Sequence, residues 1–170
     1  MADQIVELNV GAVICATGID YYDPREASEY GYTRFQNVVN SIELERLLSP
    51  GGPSAGKLLR FTDEKEPKHI SFIQCVGSRV PERPYCSKIC CTHSLKSALL
   101  LKKKNPKTKV YILYRDIRSY GFREELFVQA RKAGVNADWV MVCRPGLPLT
   151  RRPRSSSLPV TAPVVSIPSR

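Results

Sequence analysis

The residues in this chain best suited to chemistry are four cysteines within seventeen positions, Cys75, Cys86, Cys90 and Cys91. Their spacing is C-x10-C-x3-C-C, in a strand-like run followed by the start of a predicted helix. Thiolates are the ligands of iron–sulfur clusters, and four of them hold one cubane cluster. If the four sulfur atoms meet at one point, the chemistry that they predict is electron transfer.

The spacing alone leaves other interpretations open, because it is not the spacing of ferredoxins. Cysteine is among the most buried residue types, so Cys90 or Cys91 could be an ordinary core residue. The cysteines could bind structural zinc, although zinc sites usually pair closely spaced cysteines on separate loops. A redox dithiol usually has a C-x-x-C motif, which this sequence lacks. His93 could be a further ligand, although a solvated or core histidine is the commoner role.

The elements that must position the cysteines form a predicted α/β unit over about residues 68–142. Strand patterns at 69–75, 109–114 and 137–142 alternate with two helix patterns. The first helix is expected to open at Tyr85 or Ser87 and to end near Lys104, and the second covers 122–132, before a glycine cap at Gly134. Strands that alternate with helices at this spacing predict a parallel βαβ arrangement, which is Rossmann-like.

This arrangement gives the cysteines a common meeting point. Cys75 ends the first strand, while the other three lie at the expected helix start, where Cys86 and Cys90 are four apart and share a face. In a parallel βαβ unit, ligands gather where strands end and the following helices begin. The N–H groups of the helix terminus stabilise negative charge there. Nearby cations that could offset further negative charge are Arg79, Arg83 and Lys88.

The first half of the chain has weaker patterns. The apolar stretch 11–16, bounded by glycines, predicts a buried strand with Cys15 in the core. Residues from Ser41 predict a short helix that Ser41 caps, and a loop follows over 50–69. Within that loop, 51–57 matches most of a phosphate-binding loop, but Leu58 replaces the hydroxyl residue that binds magnesium. We therefore interpret this stretch as an ordinary loop.

Composition and charge favour a soluble protein of a reducing, cytoplasmic compartment. No apolar run reaches the roughly eighteen residues of a membrane span, and the start lacks the features of a signal peptide. The net charge of +10 includes five arginines after Asp138, where no acid occurs. Because half of the net charge lies in this final stretch, the charge is a weak indication of nucleic-acid binding, and we expect none.

The final segment, 143–170, differs in composition from the rest of the chain. It is rich in proline, serine and arginine and contains neither acidic nor aromatic residues. Such a segment cannot bury enough apolar surface to offset its ordering entropy, so we expect a disordered basic tail. Its abrupt onset also fits a reading-frame error or a truncation.

Three stretches of this sequence resemble one known family. They are FIQCVGSR at 72–79, PYCSKICCTHSLKSAL at 84–99 and VYILYRDIR at 110–118. The chain is similar here to the A-type iron–sulfur flavoproteins of heterodisulfide reductase and to the flavoprotein subunits of quinone-interacting membrane-bound oxidoreductase complexes. The resemblance implies that Cys75, Cys86, Cys90 and Cys91 hold a [4Fe–4S] cluster close to FAD, in an oxidoreductase that passes electrons between the flavin and other clusters.

The resemblance also covers the stretch VGAVICATG at 10–18, which is similar to the strand and turn by which such proteins return to their FAD domain. It implies that Thr17 and Gly18 line a flavin site. The sequence lacks the G-x-G-x-x-G fingerprint and the ferredoxin cysteines of the family, which predicts an internal fragment that is not catalytically competent alone. Its expected partners are other subunits of the complex or electron-transfer proteins, with no direct membrane insertion.

The predicted organisation thus has four parts. Residues 1–50 are the remnant of an FAD or pyridine-nucleotide-binding segment, 51–67 a linker, 68–142 the cluster-binding βαβ unit and 143–170 the disordered tail. The alternative function is a small βαβ binding module whose cysteines are structural or bind zinc, with no redox role.

Overall fold

The sheet of this protein is parallel throughout, as the alternating strand and helix patterns predict. The computed structural model describes residues 5–18, 20–139 and 164–167. Its five strands are β1 (Val39–Asn40), β2 (His69–Gln74), β3 (Lys109–Tyr114), β4 (Asn136–Trp139) and β5 (Val164–Ile167). Their order in the sheet is β1-β5-β2-β3-β4, and every pair is parallel. The predicted βαβ unit is therefore confirmed.

Helices α1 (Ser41–Leu48), α2 (Cys90–Lys104) and α3 (Glu124–Lys132) pack with the sheet around a single main core. In β2, Ile70, Phe72 and Gln74 are buried, while the alternate residues are half-buried, because successive side chains of a strand point to opposite faces. The fully or nearly fully buried core consists of Val39, Leu44, Leu48, Ile70, Phe72, Leu95, Ala98, Leu101, Val110, Ile112, Ala130 and Val135.

Helix α1 has the predicted extent, but its cap is Asn40 rather than Ser41. The Asn40 side-chain oxygen accepts hydrogen bonds from the N–H groups of Ile42 and Glu43, both at 3.0 Å. The Glu43 carboxylate in return accepts the backbone N–H of Asn40 at 2.8 Å. This reciprocal capping box satisfies N–H groups that the helix itself leaves unpaired. Ser41 is the buried first residue of the helix.

Helix α2 begins later than predicted. Lys88 has a positive φ of 59°, which is not a helical conformation, and the helix starts only at Cys90. Cys86 therefore lies in the preceding connection, so the expectation that it shares a helix face with Cys90 is wrong. The helix ends after Lys102, Lys103 and Lys104, as predicted, where cations complement its dipole.

Helix α3 is preceded by a single 3₁₀ turn, Gly121–Arg123, so the predicted start at Phe122 falls in that turn. Gly134 adopts the left-handed conformation, with φ of 77°, and the N–H of Val135 bonds to the carbonyl of Ala130 at 3.0 Å. This glycine cap turns the chain into β4, as predicted. Positions 140–142 of the predicted strand lie outside the described residues.

The predicted buried strand over 11–16 is wrong. The described residues 5–18 form neither helix nor strand, and Val13, Ile14 and Cys15 are exposed. An apolar run becomes a buried strand only where a neighbouring strand and a covering layer exist, and the described part of the chain provides neither for this segment. Cys15 is consequently not a core residue.

Only four residues of the predicted disordered tail are described, and these form β5. For Val164–Ile167 the structure thus differs from the expectation of an irregular chain. Three of the four are β-branched, which favours an extended conformation between two strands. The remaining positions of 143–170 lie outside the described residues.

The loop after α1 has none of the context of a phosphate-binding loop. Residues 51–56 form turns directly after a helix, and 57–60 form neither helix nor strand. Lys104 donates hydrogen bonds to the carbonyls of Leu48 and Gly56, at 3.2 and 2.6 Å, which closes the loop against α2. Across the described ranges, no helix combines the length and the apolar character that a membrane crossing demands.

Candidate functional site

The four cysteines lie where β2 ends and α2 begins. Cys75 directly follows β2, Cys90 and Cys91 are the first two residues of α2, and Cys86 lies in the connection between them. The pKa of Cys91 responds to charge on Cys75 and Cys86, and the pKa of Cys75 responds to charge on Cys90. The four thiols therefore share one electrostatic environment at the carboxyl end of the sheet.

Burial differs between the four thiols. Cys75, Cys90 and Cys91 are 4%, 6% and 2% exposed, whereas Cys86 is half-buried. Ile117, which follows β3, packs against the two cysteines of the helix. Three of the thiols are thus held within the protein, and the fourth lies on a connection outside the helices and strands.

The thiols differ in the direction of their pKa shifts. Burial raises the pKa of Cys75, the neighbouring Cys90 raises it further, and a contact from Arg79 partly offsets both. A hydrogen bond from Cys90 lowers the pKa of Cys91 in spite of burial. The same hydrogen bond, together with burial, raises the pKa of Cys90. The adjacent pair therefore favours one thiolate and resists a second in the absence of further positive charge.

The backbone of this segment is held in unusual conformations. Cys75, Arg79 and Lys88 have positive φ angles of 62°, 59° and 59°, which side-chain-bearing residues seldom adopt. Gly77, with φ of 67°, lies against Tyr22, and a Cβ there would be 2.5 Å from the tyrosine ring. Strained backbone clusters at functional sites, where the surrounding structure must hold it.

The start of α2 is fixed to the end of β2 by a buried hydrogen bond. The Gln74 side-chain nitrogen donates to the Ser94 hydroxyl at 2.5 Å, and both residues are fully buried. Gln74 precedes Cys75, and Ser94 lies one turn after Cys90 and Cys91. The bond therefore fixes the strand and the helix that carry three of the four thiols.

An arginine and aspartate network adjoins the cysteines, and sequence reasoning missed most of it. Arg79 contacts the Asp116 carboxylate, and its Nη1 lies 3.9 Å from Cys75 Sγ. Although burial raises the pKa of Asp116, hydrogen bonds from Arg118 and Arg79 lower it below its usual range. The Cys91 thiol donates to the Asp116 backbone carbonyl over 3.9 Å. Residues just after β3 could have been suspected, because parallel strands end at the same edge.

The other predicted neighbours have different roles. Arg83 pairs with Glu26 at 2.7 Å, so its charge is compensated away from the thiols. Lys88 is exposed, and its backbone N–H, rather than its ammonium group, bonds to Cys86 Sγ at 3.3 Å. His93 Nε2 lies 3.1 Å from the Glu45 carboxylate of α1, which directs this side chain away from a ligand role.

The two residues predicted to contact flavin lie in the N-terminal segment. Thr17 and Gly18 are exposed, and Gly18 has a positive φ of 81°, which fits a turn. Within the described residues this segment belongs to no strand. Their role at a flavin stays a prediction.

The donor set fits an iron–sulfur cluster in type, burial and surroundings. Buried thiolates need positive partial charge nearby, which Arg79 and the N-terminus of α2 supply, since no side chain caps that helix. Over the described ranges, however, no three His, Cys, Asp or Glu side chains are arranged to hold a metal ion. A cluster therefore requires the four sulfur atoms to come closer together than they lie here.

Comparison with known proteins gives this site a context. The chain is 51% identical over 132 residues to the A2 iron–sulfur subunit of CoB–CoM heterodisulfide reductase from Methanopyrus kandleri. It is 48% identical over 118 residues to the A-type subunit of the H2:CoB–CoM heterodisulfide, ferredoxin reductase of Methanothermobacter marburgensis. The chain is a relative of the heterodisulfide reductase A-type subunits. A third relative, 40% identical over 163 residues, is the A-type subunit of the ferredoxin:CoB–CoM heterodisulfide reductase of Methanosarcina acetivorans.

These similarities cover most of this chain and a small part of each heterodisulfide reductase protein. The aligned regions are 76%, 68% and 79% of this chain, but only 20%, 18% and 20% of the three relatives. The chain thus spans about a fifth of their length. No protein-family model matches it. The resemblance expected from the cysteine-containing stretches is confirmed.

Proposed function

We propose that this chain is the segment of a heterodisulfide reductase A-type iron–sulfur flavoprotein that holds one [4Fe–4S] cluster near FAD. Cys75, Cys86, Cys90 and Cys91 are the proposed ligands. When bound, such a cluster accepts and releases single electrons. The work of the chain is to bind the cluster, shield it from water and adjust its reduction potential.

One observation carries this proposal: Cys75, Cys90 and Cys91 are buried at the carboxyl end of a parallel sheet, and the half-buried Cys86 lies in the connection between them. Core cysteines in a sheet and helix would be distributed among apolar neighbours. Here instead a charged arginine contacts Cys75, and an uncapped helix terminus carries Cys90 and Cys91. These are surroundings that stabilise thiolates and an anionic cluster.

The wider context of the proposal is the complete flavoprotein. We place FAD in the rest of such a protein, with Thr17 and Gly18 at its edge, and the protein in the reducing cytoplasm. Its electron partners would be other subunits of a heterodisulfide reductase-type complex or small electron-transfer proteins. The segment alone is expected to carry a cluster without catalysing substrate turnover.

The test is anaerobic reconstitution of the full 170-residue chain with iron and sulfide. About four iron and four sulfide per chain, with the visible absorption and EPR signal of a reduced cubane, are expected. Serine variants of the four proposed ligands should lose bound iron. Cys15→Ser is the matched control, because this exposed cysteine lies outside the site and its replacement should retain full iron content.

A second candidate is a βαβ module whose cysteines are structural or bind zinc. One observation favours its structural version, without zinc: over the described ranges, no three His, Cys, Asp or Glu side chains are arranged to hold a metal ion. A colourless protein with one zinc per chain, or with none, after anaerobic purification and reconstitution would support this candidate and refute the cluster.

A further inference from the structure

Arg79 makes a contact that the ligand set alone does not require. Its guanidinium Nη1 lies 3.9 Å from Cys75 Sγ, within reach of an N–H···S hydrogen bond. The side chain is only 21% exposed, so the contact is largely shielded from water. Cys75 itself is 4% exposed. A positive charge beside a buried sulfur acts more strongly than the same charge in water.

Two contacts hold Arg79 in this position. Its guanidinium contacts the Asp116 carboxylate, whose second oxygen accepts Arg118 Nε at 3.1 Å. Its backbone carbonyl accepts Arg115 Nη1 at 2.5 Å. Its own φ of 59° is a strained conformation for a residue with a side chain. Several groups of the strand-to-loop junction after β3 thus determine where this guanidinium lies.

The contact between Arg79 and Cys75 lies where it can affect the reduction potential of a cluster. Arg79 reaches the sulfur of Cys75 rather than an open surface, and the same nitrogen, Nη1, also contacts the Asp116 carboxylate. Hydrogen bonds to ligand sulfurs and nearby positive charge stabilise the more negative, reduced state of an iron–sulfur cluster. They therefore raise its reduction potential without taking part in coordination.

We propose that Arg79 is a positioning residue that sets the reduction potential of the cluster through its contact with Cys75. This inference rests on the proposed function, because it requires Cys75 to be a cluster ligand. It goes beyond that function by assigning the control of the potential to a residue that is not a ligand.

The experiment compares reconstituted full-length chains that carry Arg79→Gln or Arg79→Lys with the unmodified chain. Iron and sulfide content is measured first, and the midpoint potential follows from a titration monitored by EPR. Arg79→Gln removes the charge, and its equilibrium constant for reduction should fall about tenfold, a shift of about 59 mV to lower potential for one electron. Arg79→Lys keeps the charge, and its midpoint potential should lie between those of Arg79→Gln and the unmodified chain.

Arg60→Gln is the matched control. Arg60 also pairs with an aspartate, Asp63, and its side chain is 26% exposed, close to the value for Arg79. Among the described residues, the hydrogen bonds and ion pair of Arg60 join it to Asp63 and to the backbone near it, and none joins it to a cysteine. Its replacement should leave both iron content and midpoint potential unchanged.

The outcomes separate this inference from the proposed function. An unmodified chain that binds no cluster overturns both. A cluster whose potential is the same in Arg79→Gln and in the unmodified chain overturns the inference alone. If Arg79→Gln binds no iron, Arg79→Lys decides: a cluster of lower potential supports the inference, while an unchanged potential or no cluster overturns it.

Discussion

The hydrogen bond between Gln74 and Ser94 allows a quantitative test of how the site is held. Ser94→Ala removes the acceptor and leaves the Gln74 amide nitrogen buried without it, while the amide oxygen already has no hydrogen-bond partner among the described residues. Leaving a buried polar group unsatisfied costs about 1–3 kcal/mol. Alanine regains at most about 0.7 kcal/mol through its helix propensity. We therefore expect the free energy of unfolding to fall by about 0.3–2.3 kcal/mol if alanine gains its full propensity.

Ser97→Ala is the matched control, because it makes the same replacement on the same helix at a nearly buried position that lacks the bond to Gln74. Urea unfolding of the full chain, followed by far-ultraviolet circular dichroism, measures both variants. Gln74→Leu should lower the free energy of unfolding less than Ser94→Ala, because it removes the buried polar group altogether. The Ser94 hydroxyl can then bond to the helix carbonyl one turn earlier.

The double variant, Ser94→Ala with Gln74→Leu, completes a double-mutant cycle for this hydrogen bond. If the bond contributes to stability, the loss of unfolding free energy in the double variant should differ by about 0.5–1.5 kcal/mol from the sum of the losses in Ser94→Ala and Gln74→Leu. Equal unfolding free energies for Ser94→Ala and Ser97→Ala would refute the reasoning, because they would show that the buried amide does not depend on this hydroxyl. Iron uptake of Ser94→Ala should also slow, since the strand and helix that carry three thiols are then less firmly joined.

Three further predictions follow from contacts elsewhere in the molecule. Asn40→Ala removes the cap of α1 and should cost about 0.5–2 kcal/mol in urea unfolding, whereas Asn40→Asp should restore most of it. The pKa of Glu45 is lowered from 4.5, chiefly by a hydrogen bond from Lys96. Its contribution to stability is therefore present above that pH and is lost as the pH falls below it, so Glu45→Gln should flatten this part of a plot of melting temperature against pH. An unchanged acid slope would contradict that assignment. Finally, iodoacetamide should modify the exposed Cys15 well before the buried Cys75 in the metal-free chain, as peptide mass spectrometry can show. Equal rates would mean that the site is open in solution.

Much of the sheet could be predicted from sequence because its signals are local. The β-branched and aromatic runs predict β2 and β3. The lysine-rich stretch predicts the end of α2, and the glycine predicts the end of α3. The placement of Cys75 after β2 and of Cys90 and Cys91 at the start of α2 followed from a general rule, that ligands gather where parallel strands end and the next helices begin. Nothing beyond neighbouring residues and this rule was needed.

Other features depended on information that local sequence does not contain. An apolar stretch at 11–16 indicates burial only if a partner surface exists, which no local pattern can show. Asn40 and Ser41 are both good caps, so tertiary position decided between them. The late start of α2 depends on the positive φ of Lys88, and the contact between Arg79 and Asp116 joins residues 37 positions apart. These outcomes are set by packing across the fold.

The left-handed backbone at Cys75 has a consequence for how this position can change. Such a conformation costs a residue with a side chain about 1–3 kcal/mol, and glycine would relieve that strain. Selection for thermostability alone would therefore favour replacing the cysteine, while selection for cluster binding opposes it. Laboratory evolution of the chain under heat, without a demand for iron, should accumulate glycine at this position sooner than at Cys90 or Cys91, which lie in ordinary helical geometry.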